Sequence, residues 1–136
     1  LIKQISDSIR AVKPYVKFGI SPFGIWKNRS DRDPDGSETQ GNSSYYQLYA
    51  DTRRWALEGW IDYIAPQVYF NQGHRRVPYQ PLVSWWLANC GTRHLYIGQG
   101  AYRLGSGDEG WEPSELPEQL RFNRRFNRVG GVIFFS

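Results

Sequence analysis

Four stretches of this chain read as buried strands, and each follows a segment with helical spacing. They are Val16-Lys17-Phe18-Gly19-Ile20, Asp62 to Tyr69, His94-Leu95-Tyr96-Ile97-Gly98 and Val132-Ile133-Phe134-Phe135. The run before Tyr69 is almost continuously apolar, and this is how a strand reads when both faces are covered, as in a parallel sheet between helices. The strand centres recur at roughly thirty to forty-five residues, the period of a repeated βα unit. Right-handed crossovers then make the strands parallel.

The intervening helices can be placed from periodicity and punctuation. Ile2, Ile5, Ile9 and Val12 follow helical spacing until Pro14. Ser44 is the expected cap of a second helix running to Gly59, with Tyr45, Leu48, Tyr49, Trp55 and Ala56 as its buried stripe. A third starts near Pro81, buries Leu82, Val83, Trp86 and Leu87, and stops at Gly91. A fourth begins around Glu115 to Pro117, presents Leu120 and Phe126, and is expected to break at Gly130-Gly131. The order is αβαβαβαβ. The fold class expected is α/β, a partial (β/α)8 TIM barrel of about four alternating α-β units with parallel strands. The chain begins inside a helix and ends on a strand, so residues 1–136 read as a single fragment, one half of a barrel. Such a half exposes apolar strand faces and sheet edges, which predicts a homodimer or an aggregate.

Composition narrows the function classes. Trp 6 and Tyr 9 are plentiful and Met is absent. Most of these aromatics fit helix stripes and strands, where they serve as packing. The formal net charge of +4 comes from Arg. Arg121, Arg124, Arg125 and Arg128 read as the wet face of the fourth helix, so no nucleic-acid partner is expected. Cys90 is the single cysteine, which excludes an internal disulfide and a Cys-based zinc site. No signal peptide or membrane span is present. No dinucleotide, P-loop or Cys-x-x-Cys motif occurs, and His74 and His94 lie far apart, so no cofactor and no metal centre are expected.

Chemistry in a parallel α/β sheet sits at the carboxyl ends of the strands. Ser21, Gln67, Tyr69, Gln99 and Ser136 fall on that rim. So do two long loops, Phe23 to Ser44 with Trp26 and Asn28, and Ala101 to Pro113 with Tyr102, Arg103, Asp108, Glu109 and Trp111. Amides offer both a donor and an acceptor to sugar hydroxyls, and an indole covers the apolar face of a ring. The expected substrate-binding residues are therefore Trp26, Asn28, Gln67, Tyr69, Gln99 and Trp111. Glycoside hydrolysis needs a pair of carboxylates, yet no strand here ends in Asp or Glu. Asp62 opens a strand on the opposite rim. Glu109, near Trp111, is the one catalytic candidate within the chain. Asp31, Asp33 and Asp35 are spaced like the start of a calcium loop, but the closing Glu is missing, so they read as a solvated, mobile turn.

Several blocks are similar to the bacterial glycosyl hydrolase-like 10 family. They are Val16 to Trp26, Tyr49-Ala50-Asp51-Thr52-Arg53, Gly59 to Tyr69, Leu95-Tyr96-Ile97-Gly98-Gln99 and Gly131 to Ser136. The resemblance spans nearly the whole chain. It implies the C-terminal half of a glycoside-hydrolase-like barrel, a polysaccharide or oligosaccharide substrate such as a cell-wall or envelope glycan, and a secreted or envelope-bound bacterial protein. It also implies an Asp-Asp-Tyr motif at a strand end just upstream of the segment matching Leu1, where the catalytic carboxylates belong. On this reading Trp26, Gln67, Tyr69 and Gln99 line the cleft and the chain alone is inactive. Two other readings stay open: a non-catalytic carbohydrate-binding module using the same rim, and an assembly domain with a basic outer face.

Overall fold

The computed structural model describes residues 1–105 and 110–136. Its elements are α1 (Ile2–Val12), β1 (Gly19–Ile20), α2 (Ser44–Leu48), α3 (Thr52–Leu57), β2 (Tyr63–Ile64), α4 (Tyr79–Asn89), β3 (His94–Gly100), a 3-10 turn (Ala101–Arg103), α5 (Glu115–Asn123) and β4 (Val129–Phe135). The strands form one sheet in the order β1-β2-β3-β4, and each neighbouring pair is parallel. This is the partial α/β barrel-like fold that the strand period predicts.

The core forms where α4 meets the sheet. Tyr79, Leu82, Val83 and Trp86 on α4 pack with Ile64, Val68, Leu95 and Ile97, all fully or almost fully buried. Pro78 occupies the N-cap of α4, and Pro81 lies in the first turn, where a missing N–H costs nothing. Each indole of α4 also holds a loop. Trp86 Nε1 donates to the Gly24 carbonyl at 2.7 Å, and Trp85 Nε1 donates to the Asp35 carbonyl at 2.8 Å. The long segment after β1 is therefore anchored to the helix layer.

Asp31 and Asp35 are exposed, as the expected solvated turn requires, but Asp33 between them is held by partners. Lys27 Nζ lies 2.7 Å from Asp33 Oδ1, and the Tyr46 hydroxyl donates to Asp33 Oδ2 at 2.7 Å. The Lys27 ammonium also stands 3.9 Å from the Tyr45 ring centroid and 4.8 Å from that of Trp26. Hydrogen bonds from Lys27 and Tyr46 hold the Asp33 carboxyl below its ordinary range. Burial pulls the Lys27 ammonium down, but Asp33 outweighs it and the net direction is up.

Several boundaries differ from the sequence pattern, beginning with the first strand, which is regular only at Gly19–Ile20 of the expected Val16 to Ile20. The expected second helix is divided: α2 ends at Tyr49, which takes a left-handed conformation with φ 51, and Asp51 starts α3 by accepting from the Arg54 N–H. Ser43, not Ser44, caps α2 through the Tyr46 N–H. With the helix broken, Leu48 and Tyr49 face solvent instead of joining the stripe. The second strand is regular only at Tyr63–Ile64, because Pro66 has no N–H for a ladder. Its extended run continues nonetheless, with Gln67 bridging both Phe23 and Gly98. Finally, Gly130-Gly131 lies inside β4 and not at a helix end. A register shift falls between Leu95 and Tyr96, and β4 supplies the extra residue as a bulge beside the Tyr96 ring.

Candidate functional site

The site is built around Gln67. Its backbone N–H donates to the Pro22 carbonyl at 2.9 Å, and the next N–H, of Val68, donates to the Gly98 carbonyl at 3.0 Å. The extension of β2 is thus clasped between the segment after β1 and the end of β3. The approach is so close that both flanks require glycine. A Cβ on Gly24 would stand 2.6 Å from the Gln67 carbonyl oxygen, and one on Gly98 would stand 2.9 Å from that of Pro66. The Gln67 amide then reaches across the rim, Nε2 donating to the Ser21 carbonyl at 2.9 Å.

An aromatic wall stands beside it. Tyr69 stacks on Phe135 with centroids 5.6 Å apart and planes at 13°. Tyr102 meets both edge-on, at 6.1 Å from Tyr69 and 5.8 Å from Phe135. Gly100 leaves the floor open: a Cβ there would lie 3.2 Å from Tyr102 and 3.3 Å from Tyr69. Tyr102 and Phe135 are exposed at 44% and 57%, so the wall presents ring surface to solvent. Burial, with a smaller contribution from Tyr102, raises the Tyr69 phenol pKa, and the group stays a neutral donor.

A cleft of about 340 Å³ opens here. Phe23, Tyr69, Phe70 and Tyr102 line one part of it, Gln40, Asn42 and Gln67 contribute amides, and His74, Arg76 and Arg103 contribute cationic or donor groups. His74 Nδ1 accepts the Val77 N–H at 2.9 Å, and its ring packs edge-on to Phe70 at 5.2 Å. Neutral His74 therefore carries its proton on Nε2. The Arg103 guanidinium lies over Tyr102 at 5.2 Å and near Trp111 at 6.0 Å. No Asp or Glu lines the cleft among the described residues.

Of the expected binding residues, Gln67 and Tyr69 are brought together at the cleft. The others lie elsewhere. Trp26 is 6% exposed, stacked on Trp85 at 5.7 Å, with Nε1 donating to Asp51 at 2.9 Å. Asn28 closes its own loop, Nδ2 donating to the Gly41 carbonyl at 2.8 Å and Oδ1 accepting from Thr39 and from the Gly41 N–H. Trp111 is buried and pairs with Leu104 through backbone bonds. Gln99 is fully buried on the helix side of the sheet, Nε2 donating to the Tyr79 hydroxyl at 3.0 Å, and that hydroxyl reaches Asn123 Oδ1 at 3.1 Å. Burial pushes the Tyr79 phenol up to about 12, against the opposing hydrogen bonds of Gln99 and Asn123. Glu109 and Asp108 lie outside the described residues. Asp62 sits on the opposite rim, accepting the Phe18 N–H at 2.8 Å.

The residues that sequence reasoning passed over are Phe23, Gln40, Asn42, Arg76 and Phe135. Phe23 and Phe135 could have been found, since each stands at or just past the end of a strand run. Gln40 and Asn42 come from the long loop that the α4 indoles anchor, and Arg76 comes from the turn before α4.

Comparison with known proteins bears on what this rim is for. A family model described as "Glycosyl hydrolase-like 10" matches residues 1–113. The chain is 50% identical over 141 residues to a protein of Bacillus subtilis (strain 168) named glycosyl hydrolase YngK, with 100% of this chain and 28% of that protein covered. It is 40% identical over 145 residues to glycosyl hydrolase DigH of Escherichia coli (strain K12), with 99% of this chain and 33% of that protein covered. The chain thus spans only a minor part of the length of these relatives. Among the described residues, no helix is long and apolar enough to cross a membrane.

Proposed function

The chain belongs to the glycosyl hydrolase-like 10 family, and from that premise we propose that it forms the substrate-binding part of a glycoside hydrolase that acts on a polysaccharide. One observation supports this reading: the amide of Gln67 and the rings of Tyr69 and Tyr102, backed by Phe135, meet at an open cleft at the carboxyl ends of parallel strands. An exposed ring face beside donor-acceptor amides suits a pyranose, which is apolar on its faces and polar around its edge. The relatives' names supply the reaction type, glycosyl hydrolysis, and we take the bond to be O-glycosyl.

The catalytic acid and its partner come from outside the described residues, because none of these brings a carboxylate to the cleft. We take the 136-residue chain by itself to be inactive. The glycan is a cell-wall or envelope polysaccharide of a bacterium, and the protein works in the envelope or outside the cell. The absence of a carboxylate from the lining among the described residues equally favours a second reading, a carbohydrate-binding module without catalysis. Reducing-end release from bacterial envelope glycans separates the two. The protein at the length of its relatives should release reducing ends, and the 136-residue chain should release none. Binding without release by the longer protein would favour the module, and release by the short chain would refute the division of labour.

A further inference from the structure

We infer that the rim at the amino ends of the strands is a docking surface for an anionic phospholipid bilayer, with Lys13, Lys17, Arg93 and Arg128 meeting the headgroup phosphates and Tyr15 entering the interface beside them. This goes beyond the glycan reading and does not rest on it. Because the four strands are parallel, the turns that lead into them share one rim, opposite the cleft. The register makes that rim level. Gly19 pairs with Tyr63, Tyr63 with His94 and Leu95 with Val129, so Lys17, Arg93 and Arg128 lie within two residues of one line across the sheet. Strands spaced about 4.8 Å apart spread the four turns over about 15 Å.

The rim's arginines are held by backbone carbonyls, which position a guanidinium without neutralising it. Arg93 Nη1 donates to the Ile61 carbonyl at 3.3 Å, Arg128 Nη1 to the Leu87 carbonyl at 2.9 Å and Arg10 Nη2 to the Gly59 carbonyl at 2.9 Å. In the long loop after β1 the partners are carboxylates instead, Asp33 for Lys27 and Glu38 for Arg29. Lys13 and Lys17 are exposed and form no ion pair among the described residues. Two carboxylates near the rim are already engaged: Asp62 accepts the Phe18 N–H at 2.8 Å, and Glu58 lies 3.8 Å from Arg54. Between Arg93-His94 and Asn127-Arg128 a hollow of about 490 Å³ opens, with no acidic side chain in its described lining, and it has room for a phosphate.

Exposed apolar side chains select a bilayer over a dissolved polyanion. Val12 and Tyr15 flank Lys13 and Pro14 and are 78% and 75% exposed. The turn that presents them is fixed, since the Lys13 N–H donates to the Ile9 carbonyl at 2.7 Å and the Val16 N–H donates to the Lys13 carbonyl at 3.0 Å. A tyrosine ring among lysines suits the headgroup layer, with its apolar body in the interface and its hydroxyl in water. A dissolved polymer would leave both side chains in water.

The test measures partitioning of the protein at its natural length onto vesicles of phosphatidylcholine, alone or with about one-third phosphatidylglycerol. At about 0.1 M salt the anionic vesicles should bind about tenfold or more tightly than the neutral ones, and the difference should vanish near about 0.5 M. Lys13→Gln/Lys17→Gln should lose about tenfold or more, since each basic group near such a surface is worth about fivefold. Lys3→Gln makes the same change about 15 Å along α1 from Lys13 and should stay within about twofold of wild type. Tyr15→Ser should lose about threefold on anionic vesicles and nothing on soluble polyphosphate. Equal partitioning onto the two kinds of vesicle, or binding indifferent to salt, would overturn the inference. A fivefold loss for Lys3→Gln would trace the binding to net charge and overturn the assignment to the rim. Wild-type vesicle binding by Tyr15→Ser would overturn the bilayer in favour of a dissolved polyanion.

Discussion

Replacing Tyr79 by Phe removes one oxygen atom from a fully buried position and leaves the ring volume unchanged. That oxygen accepts from Gln99 Nε2 at 3.0 Å and bonds the Asn123 amide. Gln99 is itself fully buried, and its Oε1 already lacks a partner among the described residues. Without the hydroxyl the whole Gln99 amide is orphaned. A buried polar group left unsatisfied costs about 1–3 kcal/mol. Phe avoids burying a phenol, which offsets part of this, so a net loss of about 2 kcal/mol is expected. With a urea m-value of about 2 kcal/mol/M the unfolding midpoint should fall by roughly 1 M at unchanged slope. Gln99→Leu should also destabilise, but Tyr79→Phe/Gln99→Leu should cost less than the two added together, with a coupling of about 0.5–3 kcal/mol. A Tyr79→Phe midpoint within about 0.1 M of wild type, or strict additivity of the pair, would show that Gln99 is not held by this hydroxyl.

Other outcomes follow from the same structure. Gly98→Ala places a methyl 2.9 Å from the Pro66 carbonyl oxygen, so it should force β3 from the Gln67 segment, cost about 1–3 kcal/mol in urea unfolding and weaken glycan binding; a variant with wild-type stability and affinity would refute the close approach. Trp86→Phe strips the Gly24 carbonyl of its indole donor and should cost about 1–3 kcal/mol, with faster proteolysis of the segment after β1; an unchanged digestion pattern would count against the anchoring. Asp33 has a depressed pKa through Lys27 and Tyr46, so its stabilising effect is present above the ordinary carboxylate range, about 4, and is lost as pH falls through its lower folded-state value. Tryptophan fluorescence should report an acid transition around Trp26 that Asp33→Asn removes; an identical acid limb in the variant would assign the transition to other groups.

The layer structure was legible because strands covered on both faces leave continuous apolar runs, and those at Ile64, Leu95 and Ile97 are where the core forms. Gln67 and Tyr69 were legible as cleft residues because they end such a run. Gln99 ends one too, but it follows Leu95 and Ile97 by twos and so shares their helix-facing side, where Tyr79 meets it. Strand alternation carried that information, and strand-end position alone did not. The break at Tyr49 was hidden because the apolar spacing runs through it, and only the cap at Asp51 marks the restart. Trp26 looked like a platform because a loop indole in a sequence is indistinguishable from an exposed one. Its partners, Trp85 and Asp51, are set by long-range packing. The family is legible in the blocks Val16 to Trp26 and Gly59 to Tyr69, and the family model matches residues 1–113.

The claim that this strand-end cleft binds a glycan is tested most directly by titration calorimetry with oligosaccharides from bacterial envelope glycans. Saturable binding should be seen with the wild type. Tyr69→Phe keeps the ring stacked on Phe135 and should bind within about threefold of it, while Tyr69→Ala should lose about tenfold or more. Equal affinity of Tyr69→Ala and wild type would contradict the account, because the glycan would then be engaged somewhere other than the wall of Tyr69, Tyr102 and Phe135.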